Sequence, residues 1–161
     1  AADREGRFVV RVAETGGDLF LTPEVQNGQD AAASPDRLAL LSSGASALLR
    51  AGGPTWRLDG PAGRLDVVDS DGRALLASGR AAGDQDVVVT VSGRSLHPNS
   101  DAVGRWTLML PPGAGSISVN GLDYTLPDWG GDGAGSNGEG RIIEWGAPDG
   151  ALQKSWMPPA R

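Results

Sequence analysis

The chain has 161 residues, no Cys, and a formal net charge of −6 from 20 acidic and 14 basic residues. This length fits one domain, and the missing Cys excludes disulfides, thiolate metal sites and thiol catalysis. The acidic balance argues against nucleic acid as a partner, and no apolar run approaches the ~20 residues that insertion into a membrane would require.

The first predicted element is a hairpin near the N-terminus. Residues 7–13 place Phe8, Val10 and Val12 at alternate positions, which is the period of a strand with one buried face. A second apolar run, residues 18–22, follows a glycine pair. We expect the two runs to pair as antiparallel strands.

Residues 35–50 are the one place where a helix competes with strands. Apolar residues recur there at helical spacing after a Ser-Pro pair typical of a helix start. However, Ser42-Ser43-Gly44 interrupts the centre of the segment, where glycine and serine disfavour a helix. Two short strands, 37–41 and 47–50, therefore fit the segment better.

Turn residues separate the apolar runs that follow. They predict a strand at 55–58, a hairpin of 64–69 with 74–77, and core strands at 87–91 and 105–110.

Asn120-Gly121 gives the clearest hairpin signal in the chain. A two-residue turn there places Val119 opposite Leu122 and Ile117 opposite Tyr124, so the apolar side chains share one face.

A second turn at Asp149-Gly150 predicts a C-terminal hairpin. Its two-residue form places Trp145 opposite Lys154 and Ile143 opposite Trp156.

These elements add up to about eleven to thirteen short strands separated by turn residues. The sequence therefore predicts an all-β fold, an antiparallel β-sandwich or jelly-roll-like domain with at most one helix. We expect a single domain over residues 1–161, with a Gly/Asp-rich loop at 128–140 and an extended tail at 157–161.

Catalytic residues are few. His97 is the only histidine, and a Ser-His-Asp relay through it would need its neighbours Ser95 and Asp101 to converge. We favour a surface-loop histidine and a protein that is not an enzyme. Acid/base hydrolysis stays a third alternative, with carboxylates such as Glu139, Glu144, Asp128 and Asp132 as candidates.

The Gly/Asp-rich loop carries the candidate binding residues. Asp128, Asp132 and Glu139 fall at positions 1, 5 and 12 of a calcium-loop pattern, although Gly130 stands where a third side-chain ligand is expected. Calcium is therefore a possible ligand, and no other cofactor is expected.

Trp129 stands among glycines in the same loop, without apolar neighbours at strand spacing. An aromatic ring in this setting is typical of a stacking surface for a sugar or an anchor at a protein interface. We therefore expect Trp129, Asp128, Asp132 and Glu139 to form an exposed binding site.

Two functions are favoured over hydrolysis. The first is a structural or adhesive β-domain that self-associates or binds other protein subunits in an extracellular, periplasmic, virion or cell-surface assembly, since short strands leave edges that can pair. The alternative is a secreted carbohydrate-binding, lectin-like domain that uses Trp129, with calcium as an assisting ion.

Overall fold

The computed structural model describes residues 3–13, 16–129, 140–147 and 150–159. Within these residues the chain forms fifteen strands in antiparallel sheets and no helix, which confirms the all-β class. The strands are β1 (Leu19–Leu21), β2 (Glu24–Asn27), β3 (Asp30–Ala33), β4 (Arg37–Leu40), β5 (Ser46–Leu49), β6 (Trp56–Arg57), β7 (Leu65–Ser70), β8 (Leu75–Arg80), β9 (Val89–Val91), β10 (Arg94–Leu96), β11 (Arg105–Leu110), β12 (Ser116–Val119), β13 (Leu122–Thr125), β14 (Arg141–Gly146) and β15 (Leu152–Met157).

Three sheets pack as three layers. The central sheet has the order β11-β8-β7-β15-β14, the first flanking sheet β1-β4-β5-β6, and the second flanking sheet β10-β9-β12-β13. Each face of the central sheet packs against one flanking sheet through its own apolar core. The sandwich-like class is thus confirmed, and the third layer is an addition to it.

The larger core lies between the central sheet and the second flanking sheet. Its buried residues are Leu65, Val68, Ala77, Val87, Val89, Trp106, Leu110, Ile117, Val119, Tyr124, Leu126 and Trp156. The smaller core faces the first flanking sheet and consists of Ala39, Leu41, Ala47, Leu49, Val67, Ile143, Trp145 and Met157. Because both faces of the central sheet are covered, all six residues of β7 are buried.

Strands β4 and β5 decide the question left open for residues 35–50. They pair antiparallel, with Leu38 opposite Leu48, so the helix alternative is wrong. The interruption predicted from Ser42-Ser43-Gly44 is the turn between the two strands, where Gly44 has a φ of 85° and donates its N–H to the Leu41 carbonyl.

The hairpin at Asn120-Gly121 is confirmed in its register. Val119 pairs with Leu122 and Ile117 with Tyr124. Asn120 and Gly121 have φ values of 49° and 81°, the positive angles that a two-residue turn of this type requires.

The predicted register of the C-terminal hairpin is wrong by one residue. Trp145 pairs with Gln153, and Trp156 with Ile142. The turn is longer than two residues, because the Ala147 N–H bonds the Ala151 carbonyl and Gly150, with a φ of 86°, bonds back to Ala147. A shift of one residue reverses the faces, so Trp145 and Trp156 lie in different cores.

The predicted first strand is also wrong. Residues 7–13 form no strand and are exposed throughout. The other half of the predicted hairpin does form a strand, β1, but it pairs with β4 instead. A segment with an alternating pattern forms a strand only where a neighbouring strand supplies the hydrogen bonds, and this segment has no such neighbour in the described chain.

Candidate functional site

Trp129 lies on the surface of the larger core. It is partly buried and packs against that core, while its carbonyl accepts a hydrogen bond of 3.3 Å from Lys154 Nζ. The ring is therefore held by the fold, and it is not the fully exposed platform that the sequence predicts.

The other predicted site residues divide in two. Asp128 is exposed next to Trp129, whereas Asp132 and Glu139 lie outside the described residues. Among the described residues, no group of three or more His, Asp or Glu side chains is arranged to hold a metal ion. The calcium site therefore stays a prediction.

Trp129 lines a groove of ≈ 460 Å³. Charged and polar residues share its walls, namely Ser70, Asp71, Arg73, Glu144 and Lys154. Glu144 and Lys154 form an ion pair of 3.6 Å. An aromatic ring beside several hydrogen-bonding groups is the usual composition of a small-molecule site. Sequence reasoning named Glu144 only as a candidate hydrolase carboxylate, and it missed that these residues meet beside Trp129 because they come from separate turns and strands.

Asp71 gives this groove a fixed negative charge. Its carboxylate accepts hydrogen bonds from the backbone N–H groups of Arg73 and Ala74, at 2.8 and 2.9 Å. The bonds from Ala74 and Arg73 hold the pKa of Asp71 below its usual value. The side chain is therefore ionised at neutral pH and acts as a hydrogen-bond acceptor.

A second cleft, of ≈ 490 Å³, lies beside the turn between β4 and β5. Asp18 accepts bonds there from Ser42 N–H and Oγ, at 2.9 and 3.0 Å, and pairs with Arg141. The bond from the Ser42 backbone N–H is the main reason that the pKa of Asp18 is lowered.

Asp59 lines the same cleft. Burial raises its pKa, but bonds from the Ser46 N–H and the Arg57 guanidinium outweigh burial and bring the pKa below its usual value. A hydrolase of the two-carboxylate type needs one carboxyl with a raised pKa. Asp18 and Asp59 do not supply such a pair, since both are lowered.

The residues around His97 do not form a catalytic relay. His97 is exposed directly after β10. The Ser95 hydroxyl lies 3.0 Å from the Thr90 hydroxyl, and Asp101 accepts the backbone N–H groups of Val103 and Arg105 at 3.0 and 2.8 Å. Each neighbour is thus engaged in its own local turn or strand pair.

The most unusual surface is the N-terminal segment, residues 7–13. Phe8, Val9, Val10 and Val12 are exposed by 59%, 90%, 67% and 40%. The hydrogen bonds of this region in the described chain are local: they join Asp3 to Glu5, Gly6 and Arg7, and Arg7 to Glu5. Four large apolar side chains within five consecutive residues thus face solvent.

A second protrusion is the arm formed by β2 and β3. Among the described residues the two strands pair only with each other, and all eight of their residues are exposed. Val25, at 71% exposure, is its largest apolar side chain. Sequence reasoning missed this hairpin, although Asn27-Gly28 between two short runs is a turn signal.

Comparison with known proteins gives no family for this chain. No protein-family model, curated protein or solved structure matches it. No helix that could cross a membrane occurs in the part of the chain that the structure describes. Function therefore has to be argued from the surfaces described above.

Proposed function

We propose that this protein is a self-associating structural β-domain, a subunit of an extracellular, virion or cell-surface assembly. The observation that supports the proposal best is the N-terminal segment. Large apolar side chains that lie together on the surface mark sites of association. A segment that has the period of a strand, and no partner strand among the described residues, is suited to pairing with another chain.

The distribution of burial supports the same proposal. The three-layer body buries its apolar residues in two cores, so Phe8, Val10 and Val12 are not needed to complete either core. Their burial between copies would contribute roughly 1.5–3 kcal/mol for each side chain that becomes fully buried. The β2–β3 arm offers a second exposed edge for contacts between subunits.

Sedimentation velocity over a wide range of protein concentration tests this proposal. We expect the unmodified chain to form oligomers, and Phe8→Ser with Val10→Ser to shift it towards the monomer. Val103→Ser is the matched control, because Val103 is 74% exposed but lies in a loop outside the segment. A chain that stays monomeric at every concentration contradicts the proposal.

Carbohydrate binding in the Trp129 groove is the second candidate function. The specific support is the combination of the Trp129 ring with Asp71, Glu144 and Lys154 around one groove. Sugars bind through stacking on an aromatic face together with hydrogen bonds to charged groups at its rim.

Retention on immobilised polysaccharides tests this second function. Trp129→Ala and Glu144→Gln should both abolish retention, whereas Glu24→Gln on the β2–β3 arm should not. Circular dichroism of each variant separates loss of binding from loss of fold, because Trp129 also packs on the larger core. Retention that is unaffected by both groove variants contradicts the assignment, and a calcium dependence would show as loss of retention with a chelator.

A further inference from the structure

We propose that the N-terminal segment of one copy adds as a strand to the β13 edge of a second copy, antiparallel, with Arg11 opposite Asp123. This inference rests on the proposed self-association and specifies its geometry. It follows from three features: the edges that the sheets leave open, the alternation of residues in the two strands, and the charges that meet.

In the part of the chain that the structure describes, six strands form the edges of the three layers, and several of these edges are unsuited to the segment. β1 has only three residues and β6 only two. The start of β11 is already covered, because Ser100 bridges to Trp106 and the Asp101 N–H bonds the Arg105 carbonyl.

The charged residues of the remaining edge strands, β10, β14 and β13, decide which of them suits the segment. β10 begins with Arg94, which would repel the arginines of the segment. In β14, Arg141 pairs with Asp18 and Glu144 with Lys154. β13 instead carries Asp123, whose carboxylate has no hydrogen-bond or ion-pair partner in the described chain.

The backbone of β13 is ready to accept a strand. Val119 and Leu122 flank a two-residue turn, so they exchange hydrogen bonds with each other, and the pattern alternates along the strand. The Leu126 N–H bonds the Gly115 carbonyl, which fits the same alternation. The N–H and C=O groups of Asp123 and Thr125 therefore point away from β12, towards the open edge.

One antiparallel register places the apolar residues of the segment opposite the apolar residues of β13 and Arg11 opposite Asp123. With Arg11 opposite Asp123, Val12 lies opposite Leu122, Val10 opposite Tyr124 and Phe8 opposite Leu126, on the face that covers the larger core. Val9 and Thr125 then share the outer face with the Arg11–Asp123 pair. The Arg11 guanidinium has no ion-pair partner of its own among the described residues, so this contact would pair two unmatched charges.

The partner is a second copy because the segment cannot easily reach its own β13. The segment leads into β1, which belongs to the first flanking sheet, whereas β13 belongs to the second, on the other face of the central sheet. Two sheet spacings amount to about 20 Å. The six residue steps from Ala13 to Leu19 span about 20 Å when fully extended, which leaves no length for a path around the central sheet.

Disulfide trapping tests the register directly, because the chain has no Cys of its own. Val12 and Leu122 would form a non-hydrogen-bonded pair, whose Cα separation suits a disulfide. Mixing the full-length single variants Val12→Cys and Leu122→Cys under mild oxidation should give mainly the mixed disulfide dimer. Leu96→Cys is the matched control, since Leu96 and Leu122 are 37% and 38% exposed on opposite edges of the same sheet.

Charge reversal gives an independent test. Arg11→Glu and Asp123→Arg should each raise the dimer dissociation constant by about five-fold, and combining both in one chain should restore it to within about two-fold. Arg4→Glu, outside the register, is the control and should have no comparable effect.

The outcomes separate this inference from the proposed function. Equal trapping at Leu96 and Leu122, or a double charge reversal that does not restore association, overturns the β13 docking even if the protein self-associates through the segment. A chain that never self-associates overturns both.

Discussion

Replacing Gly79 with alanine should destabilise the protein strongly. Gly79 lies on β8, opposite Trp106 of β11, and the indole occupies the space that a side chain at Gly79 would take. A Cβ there would overlap the backbone oxygen of Arg64 and would lie 2.6 Å from the Trp106 ring. The backbone oxygen cannot move without disturbing the pairing of β7, and the ring is fixed in the larger core at 1% exposure.

The size of the effect follows from these contacts. Overpacking of a core costs about 1–3 kcal/mol, and displacement of the Trp106 ring adds part of the burial energy of a large aromatic side chain. We therefore expect Gly79→Ala to lower the free energy of unfolding by roughly 3 kcal/mol, which corresponds to a fall in Tm of roughly 6–12 °C for a domain of this size.

Urea and thermal unfolding measure this change, with Gly115→Ala as the matched control. A Cβ at Gly115 would meet no atom within 4 Å, and its φ is not in the positive range. Its substitution should leave stability unchanged or raise it by up to about 1 kcal/mol. If Gly79→Ala is as stable as Gly115→Ala, the packing of Trp106 against β8 is wrong.

Three further changes test other parts of the fold by urea unfolding. Gly121→Val should lower stability, because a β-branched residue resists a φ of 81°; unchanged stability would contradict the turn. Asp69→Ala should cost roughly 2–4 kcal/mol, since it leaves the buried donors of Thr55 and Ser155, at 2.7 and 2.6 Å, without their acceptor; a loss below about 1 kcal/mol would contradict this network. The pKa of Asp18 is lowered in the folded state, so its carboxylate stabilises the fold above the unfolded pKa and loses this effect as the pH falls through the folded pKa. Asp18→Asn should therefore be less stable than the unmodified chain at pH 7 and equally stable at about pH 2. A difference in stability that does not vary with pH would contradict the assignment.

Local turn chemistry made much of the fold predictable. Asn120-Gly121 specifies both a turn and the register of its strands, and Ser42-Ser43-Gly44 marks the turn that divides β4 from β5. Where the turn is longer, as at Gly150, the same reasoning gives a register that is wrong by one residue. The length of a turn depends on backbone angles that a Gly alone does not fix.

Features that depend on distant parts of the chain were not predictable. A register shift between Leu65 and Val67 places these two residues in different cores. The local sequence pattern does not predict this shift. Likewise, Trp129 stands out in the sequence, but the groove beside it is completed by Glu144 and Lys154 through the pairing of β14 with β15. The N-terminal segment has a strand pattern whose partner is missing from the described chain, so its pattern alone could not reveal that it is exposed.

The mass of the protein in solution, with and without its first 13 residues, tests the proposed function most directly. Light scattering after size-exclusion chromatography should give an oligomer for the full chain and a monomer of unchanged circular dichroism for the shortened chain, because Phe8, Val9, Val10 and Val12 lie outside both cores. Equal masses for the two chains, whether both are monomers or both are the same oligomer, would contradict association through this segment.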